Sequence, residues 1–333
     1  MACADLDRRT LSAWSRSIDA AGTDGSLASP FFRPELIALV DGARGSGTPR
    51  VEVVVALDQA DEPVAFLAFE RDQERPRHGW PAGRWLADYQ GVVAAPGIVV
   101  DAAAMLRAAG LETWQFDHVP ADQVPFSAWH TSAGPSRQID VRVGVEAYTS
   151  ATAIFRDARS ARRRLARDVG PVRVSAHADD PSVLAALLEW KSAQYRRSGV
   201  RDIFAVDWCR VAVTSLATAD GPAFAGRLSA LWAGDHLVSV HLGPRSYGRW
   251  HWFLPAYDPA FARYSPGTVL LADLVERADD LGISIIDLGK GDEPYKRRFG
   301  NAEVSVTAGM VEVPSLARTA RRVAGRIRRA AGH

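Results

Sequence analysis

All but three of the 40 basic residues in this chain are arginine, and the exceptions are Lys191, Lys290 and Lys296. A compact ammonium with three rotatable donors differs from a guanidinium fork. Where arginine serves almost every generic positive charge, the surviving lysines mark candidate sites. Two of them fall in Asp287 to Gly300, which packs seven charges, a phenol and three glycines into fourteen residues. A buried core has no use for that composition. The preceding Ile283-Ser284-Ile285-Ile286 alternates as a strand, with Asp287 at its end. Gly289 and Gly291 allow turns closed to other residues. Asp292 and Pro294 then open a short helix that carries Tyr295 and Lys296 over the strand end, where ligands bind in α/β sheets. The expected roles are Asp287 orienting or deprotonating an acceptor, Tyr295 protonating a leaving group, and Lys290, Asp292 and Lys296 binding substrate. An ion pair of Lys296 with Asp287 or Asp292 is the alternative, in which these residues only hold the loop.

A second segment complements the first. Tyr264-Ser265-Pro266-Gly267-Thr268 precedes a helix with Leu271, Leu274, Val275 and Ala278 on one face. Ser265 reads as its N-cap and Pro266 as its first residue. No acid occurs before Asp273, so the first turn offers N–H groups and a positive dipole to an anion such as a diphosphate. Further candidates are His241 and His251 on adjacent strands, with His241 the second choice for a general base, and Asp258 beyond them. Lys191 and Tyr195 share a helical stripe with Leu184 and Leu188, so the lysine either snorkels to solvent or points into a cavity.

The elements that must position these groups are legible in outline. Helices are expected near Leu6 to Ile18, from Ser29-Pro30 to about Val40, and near Ala102 to Ala108. Val51 to Leu57 and Pro63 to Phe69 read as a hairpin, and Arg84 to Leu86, Thr113 to Phe116 and Gln138 to Val143 as short strands. An arginine-rich helix from Ala151 to Asp168 leads into the second half. There, helices from Asp180-Pro181 to Ser198-Gly199 and from Trp208 to Thr218 precede three strands: Ala225 to Trp232, Leu237 to Leu242 and Arg249 to Leu254. The turns at Ala233-Gly234-Asp235 and Pro244-Arg245-Ser246 predict an antiparallel meander. The alternation of helices and strands gives an α/β (α+β) class.

These residues carry a resemblance. YSPGTVLL (Tyr264 to Leu271) and GISIIDLGKGDEPYKRRFG (Gly282 to Gly300) resemble the signature of GNAT-type acyltransferases of the CelD/BcsL group, which is linked to cellulose and exopolysaccharide biosynthesis. Ser29 to Leu36, Ser160 to Val174 and Glu189 to Ala205 are similar to further family segments in the same order. The resemblance implies two tandem GNAT-like lobes, as in the FemABX transferases, each a mixed, largely antiparallel sheet flanked by helices. The lobes are expected at 1–150 and 151–312, with a basic tail at 313–333. It also implies acyl-CoA as co-substrate, with acetyl-CoA foremost, held by Arg263, Ser265, Gly267, Thr268 and Val269. The acceptor would be a glycan or small molecule. An aminoacyl-tRNA donor or a non-catalytic scaffold are the alternatives.

Composition bounds these readings. With 333 residues, 47% hydrophobic and 24% charged, the chain can bury a sizeable core. A net charge of +1 argues against a DNA-binding protein that works by field strength. Two cysteines exclude a disulfide framework or a cysteine-based structural metal site, and no metal is expected. With no apolar leader and no spanning run, the expected location is cytoplasmic. The six arginines of 313–333 surround an apolar face at Leu316, Ala320, Val323, Ile327 and Ala331, a pattern that suits peripheral contact with an anionic membrane.

Overall fold

In the computed structural model, which describes residues 1–22, 24–45 and 48–313, most of the expected elements are present with shifted ends. The first half contains α1 (Arg8–Ala20), α2 (Pro34–Gly42), β1 (Val51–Leu57), β2 (Pro63–Arg71), β3 (His78–Pro81), β4 (Val92–Ala94), α3 (Ala102–Ala108), β5 (Thr113–Pro120), β6 (His130–Asp140) and α4 (Val145–Ala151). The second half contains α5 (Ile154–Asp168), β7 (Val172–Ser175), α6 (Pro181–Arg197), α7 (Asp207–Thr218), β8 (Ala225–Ala233), β9 (His236–Ser246), β10 (Arg249–His251) and β11 (Leu254–Tyr257). It closes with α8 (Pro266–Glu276), β12 (Ile285–Lys290), α9 (Pro294–Phe299) and β13 (Ala302–Glu312).

Four local expectations are corrected. The helix expected from Ser29-Pro30 is a 3₁₀ turn, Pro30–Phe32, followed by α2; Pro34 forces Arg33 into an extended conformation (φ −69°, ψ 134°) and breaks the helix there. Arg84–Leu86 is a 3₁₀ turn instead of a strand, because Gly83 (φ 81°) and Arg84 (φ 44°) are left-handed. Strand β6 ends at Asp140 instead of crossing to Val143. Residues 244–246 continue β9, and the chain reverses at Tyr247-Gly248.

The described strands form one sheet in the order β1-β2-β3-β5-β13-β6-β12-β10-β9-β8-β7, with β4 on β2 and β11 on β9. The final strand, β13, returns to lie antiparallel between β5 and β6. The two halves meet at β12, which is antiparallel to β6 and parallel to β10. A parallel neighbour needs a crossover, and α8 supplies it between β11 and β12. Its residues Val269, Leu270, Leu271, Ala272, Leu274 and Val275 are all buried, and each large aliphatic contributes about 1.5–3 kcal/mol over exposure.

A core cluster spans both halves. Trp14 and Phe66, stacked at 5.2 Å, belong to the same apolar cluster as Leu228, Val240 and Leu254. A second cluster lies beneath α5 and α8, and a third surrounds Trp114, Phe116 and Phe126. Among the described residues no helix is long and apolar enough to cross a membrane. The basic amphipathic pattern beyond Val313 lies outside the described residues.

Candidate active site

The site arises where two neighbouring strands part. His251 of β10 pairs with Asp287 of β12, and the Trp252 N–H donates to the Asp287 carbonyl oxygen at 2.7 Å. Beyond that bond, β11 stays on β9 while β12 follows β6 to the Lys290–Ser136 pairing. The divergence opens a cavity of about 560 Å³. Phe253, Pro255, Ala256 and Tyr257 line one wall and Leu288, Gly289 and Lys290 the other, with Ser265, Pro266, Gly267 and Thr268 at one end and Glu293, Tyr295 and Lys296 over the mouth. The two segments that attract attention in the sequence therefore face one space. All three lysines of the chain line it.

At the α8 end, Ser265 is not a side-chain cap, contrary to expectation. It is left-handed (φ 50°, ψ 53°), its hydroxyl makes no cap bond, and its carbonyl accepts from the Thr268 and Val269 N–H groups. The first turn thus carries no acid and no capping side chain, which leaves its dipole available to an external anion. A Cβ built on Gly267 meets no heavy atom within 4 Å, so the glycine borders open space. Arg263 and Val269 do not line the cavity: Arg263 donates to the Tyr264 hydroxyl at 2.6 Å, and Val269 is in the core.

On the opposite side the groups differ in how much bonding capacity they have left. The Lys296 ammonium donates to the carbonyls of Gly289 (3.2 Å) and Lys290 (2.8 Å) and pairs with Glu293 (3.0 Å), which commits its three donors. It pairs with neither Asp287 nor Asp292. Lys290 donates to the Asp117 carbonyl at 2.7 Å and Lys191 to the Pro255 carbonyl at 3.1 Å, leaving further N–H bonds on each. Burial lowers the Lys191 ammonium to about 8. Burial, reinforced by Glu293 and Asp88, raises the Tyr295 phenol far above its usual value, so it remains a proton donor. Its hydroxyl bonds to no described residue. Tyr195 packs against Phe204, outside the cavity, and Asp292 is exposed and paired with Arg137 and Arg297.

Asp287 and His241 lie behind the cavity wall and are fully buried. Asp287 accepts from Ser136 Oγ (2.9 Å) and the Gly289 N–H (2.9 Å) on Oδ1, and from Tyr89 Oη and Gln138 Nε2 (both 2.7 Å) on Oδ2. Burial acts to raise its carboxyl, but the neighbouring His251 and these donors outweigh it and hold it below its ordinary value. Ser29 Oγ and Asp287 Oδ2 both face Nε2 of His251, at 3.1 and 4.0 Å, so the three do not form a relay through opposite ring nitrogens. His241 stacks on Trp252 at 4.0 Å and donates from Nε2 to the His251 carbonyl.

Burial lowers both imidazoles, His241 to about 3 and His251 below its ordinary value although Asp287 and Asp88 favour its charged form. Below pH ~6.5 the unfolded chain binds a proton that His241 refuses in the fold, so stability should fall as pH falls, by up to about 1.4 kcal/mol per pH unit for that ring. The Asp287 carboxylate stays ionised in both states until about pH 4 and does not offset this. Urea unfolding between pH 7 and 4.5 should show the slope, and His241→Gln should make it shallower by about one ring's share. A flat profile would count against a neutral buried His241.

One residue in the cavity was invisible to motif reasoning. Asp88, from the loop after the Arg84–Leu86 turn, lines the wall, and its carboxylate forms no hydrogen bond or ion pair with a described residue. Neighbouring Tyr89 is anchored on Asp287. Gly289 (φ 73°) allows the approach, since a Cβ there would come 3.2 Å from Asp88 Oδ2. In sequence, Asp88 resembles any loop aspartate.

Residues 154–297, from α5 into α9, match the acetyltransferase (GNAT) domain family. The match takes in 144 of the 333 residues, all of them in the second half. Solved structures share the fold over nearly the whole length of this chain. FemX is 11% identical, with 87% of this chain and 97% of that one covered and a TM-score of 0.56. The C-terminal domain of an Agrobacterium fabrum protein assigned as lysylphosphatidylglycerol synthetase is 12% identical, covering 92% and 93%, with a TM-score of 0.56. A tandem GNAT protein from the clavulanic acid biosynthesis pathway is 12% identical, covering 95% and 98%, with a TM-score of 0.52. At such identities the likeness is one of fold. No curated protein matches this chain significantly in sequence.

Proposed function

We propose that the protein is a GNAT-type acyltransferase that moves an acyl group, acetyl foremost, from acyl-CoA to an amine or hydroxyl on a sugar, polysaccharide precursor or small metabolite. The observation that carries this reading is the single cavity bounded by both the uncapped start of α8 and the lysine-bearing segment after β12. The α8 turn suits a diphosphate, with Ser265, Gly267 and Thr268 as contacts. The parted strands β11 and β12 give an extended chain room to reach the mouth. The resemblance of the Tyr264 to Gly300 motifs to the CelD/BcsL group supports a glycan acceptor.

A thioester is already activated, so positioning can supply up to roughly 7–11 kcal/mol of the barrier. Neutralising a lysine-like acceptor amine costs nearly 5 kcal/mol at pH 7, by the approximate reference pKa of 10.4. In this reading Asp88, which lines the cavity, takes that proton, since Asp287 has its oxygens occupied behind the wall. Tyr295 then protonates the departing thiolate, and Lys290 holds an anionic group of the acceptor. Asp287, through Tyr89 and Gly289, positions both sides of the wall.

Acetyl-CoA should raise the unfolding temperature and release free thiol when amino sugars are supplied. Gly267→Trp should weaken acetyl-CoA binding at least tenfold while leaving the unliganded midpoint within a degree or two, because open space surrounds that position. Unchanged affinity would move the donor away from α8. The fold shared with FemX supports aminoacyl-tRNA as the second reading; salt-dependent tRNA binding with no response to acetyl-CoA would favour it. Any acyl-CoA turnover would remove the scaffold alternative.

A further inference from the structure

We propose that Lys191 is a site of self-acylation, its side-chain amine attacking the thioester of bound acyl-CoA to leave an amide inside the cavity. The inference rests on the acyl-CoA reading above. Three observations distinguish this amine. It lines the same cavity as Gly267 and Tyr295 while only 8% exposed. It donates one hydrogen bond, to the Pro255 carbonyl, and no described carboxylate lies within ion-pair distance. Lys296, by contrast, has all its donors committed.

Burial also frees the amine. Asp88 on the facing wall and Glu293 before α9 favour the ammonium, and Lys296 on α9 opposes it. Tyr195 on the same helix lies 5.4 Å away across its ring, and His241 on β9 stays neutral. Desolvation outweighs them, and the lowering to about 8 gives roughly a hundredfold more free amine near pH 8 than an exposed lysine has. In the step, the nitrogen lone pair forms the N–C bond to the thioester carbonyl and the C–S bond breaks. The amine proton ends on the departing thiolate, so acyl-CoA and lysine become acyl-lysine and CoA thiol with no other reactant. The product is neutral and fills space next to Pro255, so it should block turnover.

The chain's composition makes the test clean, because the sequence holds only three lysines. Full-length protein incubated with acetyl-CoA at pH 8 should gain one acetyl group by intact mass. Peptide mapping should place it on Lys191. The rate should rise at least about tenfold from pH 6.5 to 8.5. Lys191→Arg should abolish the mass gain with the circular dichroism spectrum unchanged. If a thermal shift shows acetyl-CoA bound while Lys191 stays unmodified, or if the acetyl group maps to Lys290 or Met1 first, self-acylation is overturned and the donor assignment stands. If acetyl-CoA neither binds nor reacts, both fall.

Discussion

Asp88→Asn is expected to lower kcat by about a hundred- to a thousandfold, with the KM for the donor nearly unchanged. A positioned base contributes roughly 10²–10⁴-fold, and asparagine keeps the size of the side chain while removing its capacity to take a proton. Asp88 faces the cavity without a bonded partner, so the substitution leaves no buried donor stranded and the fold should survive. Asp88→Glu should recover part of the activity. A kcat within threefold of wild type would transfer the proton to water or to the acceptor's own groups.

Asp287→Asn should act on stability first. Four donors converge on this fully buried carboxylate, and an amide in its place would set its NH₂ against two of them or withdraw the charge from all four. Breaking such a buried charged network costs about 3–5 kcal/mol, and hydrogen bonds to a charged group contribute about 1.5–3 kcal/mol each. The urea midpoint should drop accordingly, with donor affinity and turnover declining together as Tyr89 and Gly289 loosen. If turnover alone collapsed, with stability and donor affinity intact, Asp287 would be acting on the substrate.

The two aspartates show where sequence reading is strong and where it stops. Asp287 stands out because a carboxylate at a strand end beside two glycines is chemically conspicuous. Its oxygens, however, are consumed by Tyr89, Ser136 and Gln138, which approach from 149 to 198 residues away. Asp88 carries no local mark at all. His241 and Lys191 were equally ambiguous in a single strand or helix; the packing of Trp252 buries one, and the parting of β11 from β12 gives the other a cavity.

By itself the sequence determined what short-range physics encodes. The periodicity places most helices and strands, Pro266 and the apolar run start and carry α8, and scarcity makes three lysines and the Asp287 to Gly300 stretch stand out. Tertiary structure decided which of those groups face one another. The return of β13 between β5 and β6, and the pairing of β6 with β12, bring Asp88 to the wall opposite α8. That choice depends on strand partners far apart in the chain, where each backbone bond looks alike, and only the packing of the whole sheet distinguishes a buried carboxylate from a free one.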